Sequence, residues 1–345
     1  MLRWLSGHPT DALFFTFTSG RTVLVPWDLH MANDRGAADA IIPYTDFTRS
    51  FRNAVIAVLK DNGLGTGGSR KVEFMGRTSF LRHGELVGDL PGADVVVRAD
   101  GFESFLGKLR TVKDAAEISA LEKAAHVTNL LIDKVEAAVR ARRPSAGLSE
   151  MDLAQLIERE GLGLGAEGMG FETLAAGPDR SWAIHTFPAY TGGPFGGPGL
   201  SILDFGVKVD GYTSDVTLTV ARGRLSAAQD RMVGLVEEAY AAAVEAVKPG
   251  VSPQEPARKA DEVFAGGGWK MPHSLGHGIG LDAHEGPLLR SQGDSSDPAL
   301  LPGMVFTIEP GLYDPAHGGV RWENDFIVTD SGAKALTKAR IVRIP

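Results

Sequence analysis

Ser201-Ile202-Leu203-Asp204-Phe205-Gly206-Val207-Lys208-Val209-Asp210-Gly211-Tyr212-Thr213-Ser214-Asp215-Val216-Thr217-Leu218-Thr219 reads as one antiparallel hairpin. Residues 201 to 209 alternate as a strand does, and Asp210-Gly211 is a strong two-residue turn signal. Pairing Val209 with Tyr212 puts position 204 opposite 217. Asp215 then becomes a diagonal neighbour of Asp204 on the same face, roughly 7–8 Å away at the backbone. Aspartate is depleted in strands, and Ile202, Leu203 and Val216 give this hairpin an interior character. Buried carboxylates that close together repel and protonate unless a cation lies between them. A solvated sheet face is the competing reading; the cost of pairing favours metal.

Three more donors follow in order, His277, Glu309 and Glu323. Four carboxylates and one histidine are too oxygen-rich for a structural zinc site. They suit two divalent cations sharing a water-derived hydroxide, so the pattern predicts a two-metal hydrolase. Pro272-His273-Ser274-Leu275-Gly276-His277-Gly278-Ile279-Gly280-Leu281-Asp282-Ala283-His284-Glu285 holds three of the nine histidines. His273 and His277 have the spacing of a zinc helix, but Gly276, Gly278 and Gly280 argue against helix. Alternate glycines predict backbone packed closely against a substrate or ion. A duplication is also visible. Leu203-Asp204-Phe205-Gly206 with Asp215 is echoed by Ile308-Glu309-Pro310-Gly311 with Glu323, which predicts two similar halves meeting around a metal pair.

Composition bounds the rest. A chain of 345 residues with 43% hydrophobic and 23% charged residues has room for two domains with real cores. The absence of cysteine excludes disulfides, thiolate metal sites and cysteine nucleophiles. A formal net charge of −8 argues against nucleic acid as a partner. The first residues lack a long apolar run, and no later run reaches 18, so neither a secretory signal nor a membrane span is expected. A cytoplasmic enzyme is the expectation. The basic cluster Arg140, Arg142 and Arg143 before Pro144 ends a predicted helix, where it complements the helix dipole.

The spacing divides the chain into a small N-terminal α/β unit, residues 1–107, and a catalytic domain, residues 108–345. In the first, residues 13–18 and 22–26 form a predicted hairpin, followed by a helix over 51–60 and strands at 71–74 and 94–98. In the second, a helix is predicted over 114–141 from Ile118, Leu121, Ala125, Thr128, Ile132, Val135 and Val139. Another starts at Ser149 with Asp152 in its first turn and stops at Gly161. Ser226 and Gln229 form a capping box before a long alanine-rich helix that ends at Lys248-Pro249-Gly250. The glycine-rich stretch 191–199 is read as an irregular loop, since neither a Lys-Ser/Thr pair nor a following helix makes it a phosphate cradle.

Five segments together resemble the motifs of the Xaa-Pro peptidases, the prolidase and aminopeptidase P branch of the pita-bread metallopeptidases. They are Leu203-Asp204-Phe205-Gly206, Gly211-Tyr212-Thr213-Ser214-Asp215, His273 to Glu285, Pro302-Gly303-Met304-Val305-Phe306-Thr307-Ile308-Glu309-Pro310-Gly311, and Val320-Arg321-Trp322-Glu323-Asn324-Asp325. The likeness is greatest to small bacterial-type Xaa-Pro dipeptidases and covers the chain from about residue 108. It implies an α/β (α+β) chain with a C-terminal pita-bread fold, pseudo-twofold halves around a dinuclear site and a shortened N-terminal α/β domain. It implies that Asp204 and Asp215 bind one ion and that His277, Glu309 and Glu323 complete the other, with Asp215 and Glu323 bridging. The ions expected are two divalent cations per subunit, Mn²⁺ first, with Co²⁺, Zn²⁺ or Fe²⁺ as substitutes.

The resemblance further implies roles. A hydroxide bridging the ions attacks the carbonyl of an Xaa-Pro bond, and Glu309 takes its proton and passes it toward the departing nitrogen. His284 stabilises the tetrahedral intermediate. His273 and His185 line the proline pocket, although His185 stands one residue later after Gly177-Pro178 than the family pattern. Arg321 orients a metal carboxylate or meets substrate. Arg290 is the candidate for a dipeptide's free carboxylate, since arginine binds carboxylates with two parallel bonds; an exposed loop arginine is the alternative. Leu218 replaces a family arginine. Arg3-Trp4-Leu5-Ser6-Gly7 resembles a motif that follows a first strand and helix in relatives. A homodimer acting on small proline-containing peptides is the expected assembly. The alternatives left open are an aminopeptidase P acting on longer peptides and, from another class, a metal-free pita-bread binding module. Methionine aminopeptidase fits less well, lacking the preceding domain, and creatine-type amidinohydrolases lack these ligands.

Overall fold

In the N-terminal part, α1 (Leu2–Ser6) leads into β1 (Ala12–Thr16) and β2 (Thr22–Pro26), an antiparallel hairpin with Phe14 opposite Leu24. Gly20 sits at φ 86° in its turn, a conformation glycine adopts without strain. The structure, a computed structural model, describes residues 1–64, 70–76, 78–90, 93–141, 147–293 and 297–345. Arg142, Arg143 and Pro144 lie outside the described residues; Arg140 does stand in the last turn of its helix. The chain divides into two units, Met1–Lys108 and Leu109–Pro345.

Unit 1 continues through α2 (Leu29–Arg35), β3 (Ala40–Ile41), a 3₁₀ turn at Tyr44–Phe47 and α3 (Phe51–Asp61). It then forms a βαβ element from β4 (Arg70–Glu73), α4 (Phe80–Asp89) and β5 (Ala93–Val96), whose two strands pair in parallel. Val55 and Leu59 of α3 pack on Leu86 and Leu90. The sequence reading missed α4, which carries Gly84 and Gly88; each costs about 1 kcal/mol against alanine and weakens the helical signal. The last element, α5 (Phe102–Thr111), contains the division between the units.

Unit 2 begins with α6 (Ala115–Ala141), started by Asp114, whose side chain accepts from the N–H groups of Ala116 and Glu117 at 2.8 and 2.9 Å. The expected capping box at Ser226 is present, and Ser149 with Asp152 forms a second one. Ser149 and Asp152 start α7 (Glu150–Gly163), which runs two residues past the predicted stop. After β6 (Gly168–Met169), β7 (Leu174–Ala176), β8 (Gly199–Phe205), β9 (Val207–Val209), β10 (Tyr212–Thr213) and β11 (Val216–Arg222), Ser226 and Gln229 start α8 (Ala227–Ala246). An unanticipated helix, α9 (Gln254–Gly266), follows; Ser252-Pro253-Gln254-Glu255 is a start signal the reading passed over, and Ser252 Oγ accepts from the Gln254 N–H at 3.2 Å. The remaining strands are β12 (Gly276–Gly278), β13 (Glu285–Leu289), β14 (Val305–Ile308), β15 (Gly311–Asp314), β16 (Gly318–Arg321), β17 (Asn324–Thr329), β18 (Gly332–Ala335) and β19 (Ile341–Ile344).

Two sheets matter most, β19-β11-β8-β7 and β13-β12-β14-β17-β18, each backed by a helix pair. Leu131, Ile132, Val135 and Val139 of α6 and Leu153 and Ile157 of α7 pack on Leu203, Phe205, Val216 and Leu218. Met232, Val233 and Val236 of α8 and Ala257, Ala260 and Phe264 of α9 pack on Phe306, Ile308 and Phe326. Truncating one of these buried leucines to alanine costs about 2–5 kcal/mol. Leu218, at the position of the family arginine, is buried among them. No helix of the described residues is long and apolar enough to cross a membrane.

Candidate metal centre

Side chains alternate across a strand, and that alternation builds the site. Leu203, Phe205, Val216 and Leu218 face α6 and α7, so Asp204 and Thr217 point to the other side. The register is the one read from sequence: Tyr212 pairs with Val209 and Thr217 with Asp204. The predicted continuous strand 201–209 is broken, however. A Cβ on Gly206 would stand 1.8 Å from the Ser214 carbonyl oxygen, and the ladder parts there into β8–β11 and β9–β10. Asp215 lies at this break, in neither strand. Its N–H donates to both carboxylate oxygens of Asp325, each at 3.2 Å.

The second half repeats the device. Ile308 pairs with Asn324 and Thr307 with Asp325; Phe306, Ile308 and Phe326 face the helices. Glu309 and Glu323 sit opposite one another where β14–β17 gives way to β15–β16. The halves join at Thr217 and Glu323: the Glu323 N–H donates to the Thr217 carbonyl at 3.2 Å, and Thr217 Oγ1 donates to Glu323 Oε2 at 2.6 Å. The echo seen in the sequence is thus a repeated ladder break that exposes a carboxylate to the space between the halves. It is imperfect, because Asp204 is a strand residue while Glu309 is not.

His277 arrives from β12, beside a register shift between His277 and Gly278. Gly276 and Gly278 approach the protein's own backbone and Gly280 the Glu285 side chain, rather than a substrate or ion as the sequence reading had it. A Cβ on Gly276 would stand 2.0 Å from the Thr307 carbonyl oxygen, and one on Gly278 would stand 1.9 Å from that of Gly286. The hairpin they allow puts His277 Nε2 3.4 Å from Glu309 Oε1 and 3.8 Å from Asp215 Oδ2. Asp215, His277 and Glu323 each offer a ligand atom, all within 4.8 Å of one another.

Arg321, 2% exposed, ties the wall together. Its Nε donates to Thr217 Oγ1 at 3.0 Å and its Nη1 to Tyr313 Oη at 2.9 Å and the Ile184 carbonyl at 3.1 Å; Nη2 donates to Asp204 Oδ2. His273 lies 3.1 Å from Tyr313 Oη through Nε2. His284 is exposed, its ring 4.0 Å from that of His277. His185 is exposed beside Ile184, and its charge bears on both Asp204 and His273. Arg290 joins none of these contacts; it is exposed beyond β13, its guanidinium turned toward Gly293.

Electrostatics favours a cation. Burial, then repulsion from Glu323, pushes the carboxyls of Asp215 and Glu309 well above the usual range. Burial and the charge of Asp204 push Glu323 up to about 7, and burial raises Asp204 against the pull of Arg321. Burial and the facing His284 lower His277 to about 4, leaving a neutral imidazole suited to a metal. Asp204 Oδ1 is buried without a hydrogen-bond partner. Four carboxylates around one guanidinium, one oxygen unpartnered, and a neutral imidazole fit divalent ions. The residues present fit the group.

A model of metallopeptidase family M24 matches residues 119–330. The chain belongs to this family. Among M24-type relatives, an Xaa-Pro dipeptidase from Pyrococcus furiosus is 38% identical over 232 residues, 67% of this chain and 64% of that one. A Bacillus subtilis relative, YkvY, is 38% identical over 246 residues, 68% of this chain and 63% of its own length. The matched stretches therefore span less than two thirds of these curated relatives. The fold resembles a prolidase from Pyrococcus furiosus (TM-score 0.83, 26% identical, covering 98% of this chain and 94% of that one). It also resembles an Xaa-Pro dipeptidase from Bacillus anthracis (TM-score 0.85, 26% identical, 99% and 92%). The mixed α/β architecture and the pita-bread expectation agree with these M24 neighbours.

Sequence reasoning missed the groups that hold these side chains. Asp325, Thr217, Thr307 and Tyr313 act across the fold, and no local spacing marks them. Asp325→Ala removes the acceptor of the Asp215 N–H and is expected to weaken metal binding about 10–100-fold, as loss of an outer partner typically does. Titration calorimetry with Mn²⁺ checks this. An affinity equal to that of the unmodified protein would show that Asp325 does not position Asp215.

His273 carries a pH prediction. Burial, with Arg321 facing it, lowers its pKa to about 4. The unfolded chain takes up this proton near 6.5 and the folded one only near 4, so stability is lost as pH falls through that window. His273→Gln is expected to flatten, without abolishing, the fall in Tm between pH 6.5 and 4. An unchanged slope would exclude His273 as a contributor.

Proposed function

We propose that the chain is a metal-dependent peptidase that hydrolyses Xaa-Pro dipeptides, with two divalent ions held by Asp204, Asp215, His277, Glu309 and Glu323. The carrying observation is the convergence of Asp215, His277 and Glu323 at the junction of two ladder breaks, beside the unpartnered Asp204 Oδ1, in an M24 domain. Support also comes from relatives named Xaa-Pro dipeptidase and prolidase. Mn²⁺ is the first candidate ion, since an oxygen-rich set discriminates weakly and availability decides.

Bound there, a divalent pair supplies Lewis-acid polarisation and lowers the pKa of water. The chain's own residues do the rest. Glu309, whose Oε1 lies 3.4 Å from His277 Nε2, accepts a proton at its carboxylate and delivers it to the prolyl nitrogen. His284 donates to the oxygen of the scissile carbonyl as charge builds there. His273 and His185 border the proline ring, a substrate whose tertiary amide lacks an N–H and has a fixed φ. Arg321 holds Asp204 and Thr217 in place through its fork of donors. Arg290 is proposed to meet the free carboxylate of the dipeptide. Its replacement should raise KM for Xaa-Pro dipeptides far more than for tripeptides, and equal losses would remove it from that role.

The deciding experiment is hydrolysis of Leu-Pro, Leu-Pro-Gly and Leu-Gly in a metal series. Cleavage of Leu-Pro alone supports a prolidase. Preference for Leu-Pro-Gly makes the enzyme an aminopeptidase P, and failure to bind any divalent metal returns the binding module.

A further inference from the structure

Glu285 follows His284 in sequence and takes no part in the metal centre. Its side chain is buried and lies between two buried cations. Arg110 Nη2 donates to Glu285 Oε1 and, at 3.0 Å, to Asp282 Oδ2; Lys113 Nζ is 3.5 Å from Glu285 Oε2. The side chain of Lys113 is 1% exposed and that of Arg110 is 7% exposed. The turn from Gly280 to Glu285 closes on the same carboxylate. The Asp282 N–H donates to Glu285 Oε1 at 3.0 Å, and a Cβ on Gly280 would stand 2.6 Å from that oxygen. The Gly280 carbonyl in turn accepts from the Thr213 N–H at 2.8 Å, two residues before Asp215.

Buried ion sets are weak stabilisers, because desolvation offsets their attraction; apolar replacements of similar volume often do as well. Fold stability alone therefore gives little reason for three buried charges here. What the set does achieve is geometric. It pins one carboxylate from both sides, and that carboxylate fixes a turn whose neighbouring residue is His284. The His284 imidazole is itself exposed, its ring tilted by 32° against that of His277 at 4.0 Å, so close packing does not hold it.

We propose that Glu285, clamped by Arg110 and Lys113, is a positioning residue that fixes the 280–285 turn and thereby holds the His284 imidazole over the scissile bond. The inference rests on the reading of the site as an Xaa-Pro peptidase, and its test includes a readout independent of catalysis. Outer-shell groups of this kind are worth about 10–100-fold in activity. In the Mn²⁺-loaded enzyme, Glu285→Gln is expected to lower kcat for Leu-Pro by that factor with KM nearly unchanged. In a His284→Ala background the same change should lower kcat less than twofold, because nothing remains to be positioned.

Glu285→Gln takes the paired carboxylate charge from buried Lys113 and one of two carboxylates from Arg110, and can fail to fold. The triple variant Arg110→Met, Lys113→Met, Glu285→Met removes the charges together and keeps comparable volume, and it should show the same kcat loss with the metal stoichiometry intact. The ring resonances of His284 in the Zn²⁺-loaded protein give the second readout: they should shift or broaden in either variant while those of His273 stay in place. If the unmodified enzyme cleaves no Xaa-Pro peptide, the functional reading falls and these resonances still decide the positioning. Unmoved His284 resonances, or an equal kcat loss with and without His284, would overturn the proposal.

Discussion

Asp215→Asn is expected to remove peptidase activity by about 10³-fold or more, and at the same time to stabilise the metal-free protein. The first effect follows because Lewis-acid stabilisation is worth several kcal/mol and each ~1.4 kcal/mol is a factor of ten. The second follows from the surroundings of the carboxyl. Burial is its largest penalty, and Glu323, Asp204, Asp325 and Glu309 all repel its charge. Asparagine keeps the shape and leaves the main-chain N–H bonded to Asp325. Relief of about 1 kcal/mol would raise Tm by roughly 2–4 °C for a unit of this size. Mn²⁺ should reverse the ranking. At about 100 times its Kd an ion adds ~2.7 kcal/mol to the protein that binds it, and the variant should forfeit most of that gain. Thermal unfolding of both proteins with EDTA and with Mn²⁺ measures all of this. A variant that stays active, or gains as much from Mn²⁺ as the unmodified protein, would remove Asp215 from the ligand set.

The hairpin register around Asp204 was legible because it obeys short-range rules. Asp210-Gly211 fixes a turn, the turn fixes the register, and the register fixes that Asp204 faces Thr217. The capping boxes at Ser149 and Ser226 are equally local. What stayed hidden depends on residues far apart in sequence. At the ladder break the Ser214 carbonyl comes to where a Cβ on residue 206 would stand, an approach that no local spacing announces. The glycines around His277 signalled close approach correctly but not what they approach, since backbone and ligand make the same demand of a residue without Cβ. Asp325 and Glu285 look like surface acids in the sequence. Only the fold buries them against the Asp215 N–H and against Arg110 and Lys113.

Arg321→Lys should be nearly as damaging as Arg321→Met, which is the reverse of what a simple charge requirement predicts. Arg321 satisfies four acceptors from four segments: Asp204 on β8, Thr217 on β11, Tyr313 on β15 and the Ile184 carbonyl beside His185. A guanidinium reaches all of them with a rigid fork, whereas an ammonium presents three donors from one atom. Methionine leaves Asp204 buried against an unpaired site, a loss of about 3–5 kcal/mol. Lysine keeps the charge but strands two or more acceptors, at about 1–3 kcal/mol each. Both variants also free the segment around His185 from the carboxylate wall. A misplacement of about 1 Å there lowers kcat/KM by roughly 10². Urea unfolding and Leu-Pro kinetics separate the two effects, and Mn²⁺ adds a third test. Because an ion bound through the unpartnered Asp204 Oδ1 supplies positive charge of its own, saturating Mn²⁺ should recover part of the stability lost in Arg321→Met and less of that lost in Arg321→Lys. Wild-type kinetics in the lysine variant would mean that Arg321 acts by charge alone, and the fork would then have no part in shaping the site.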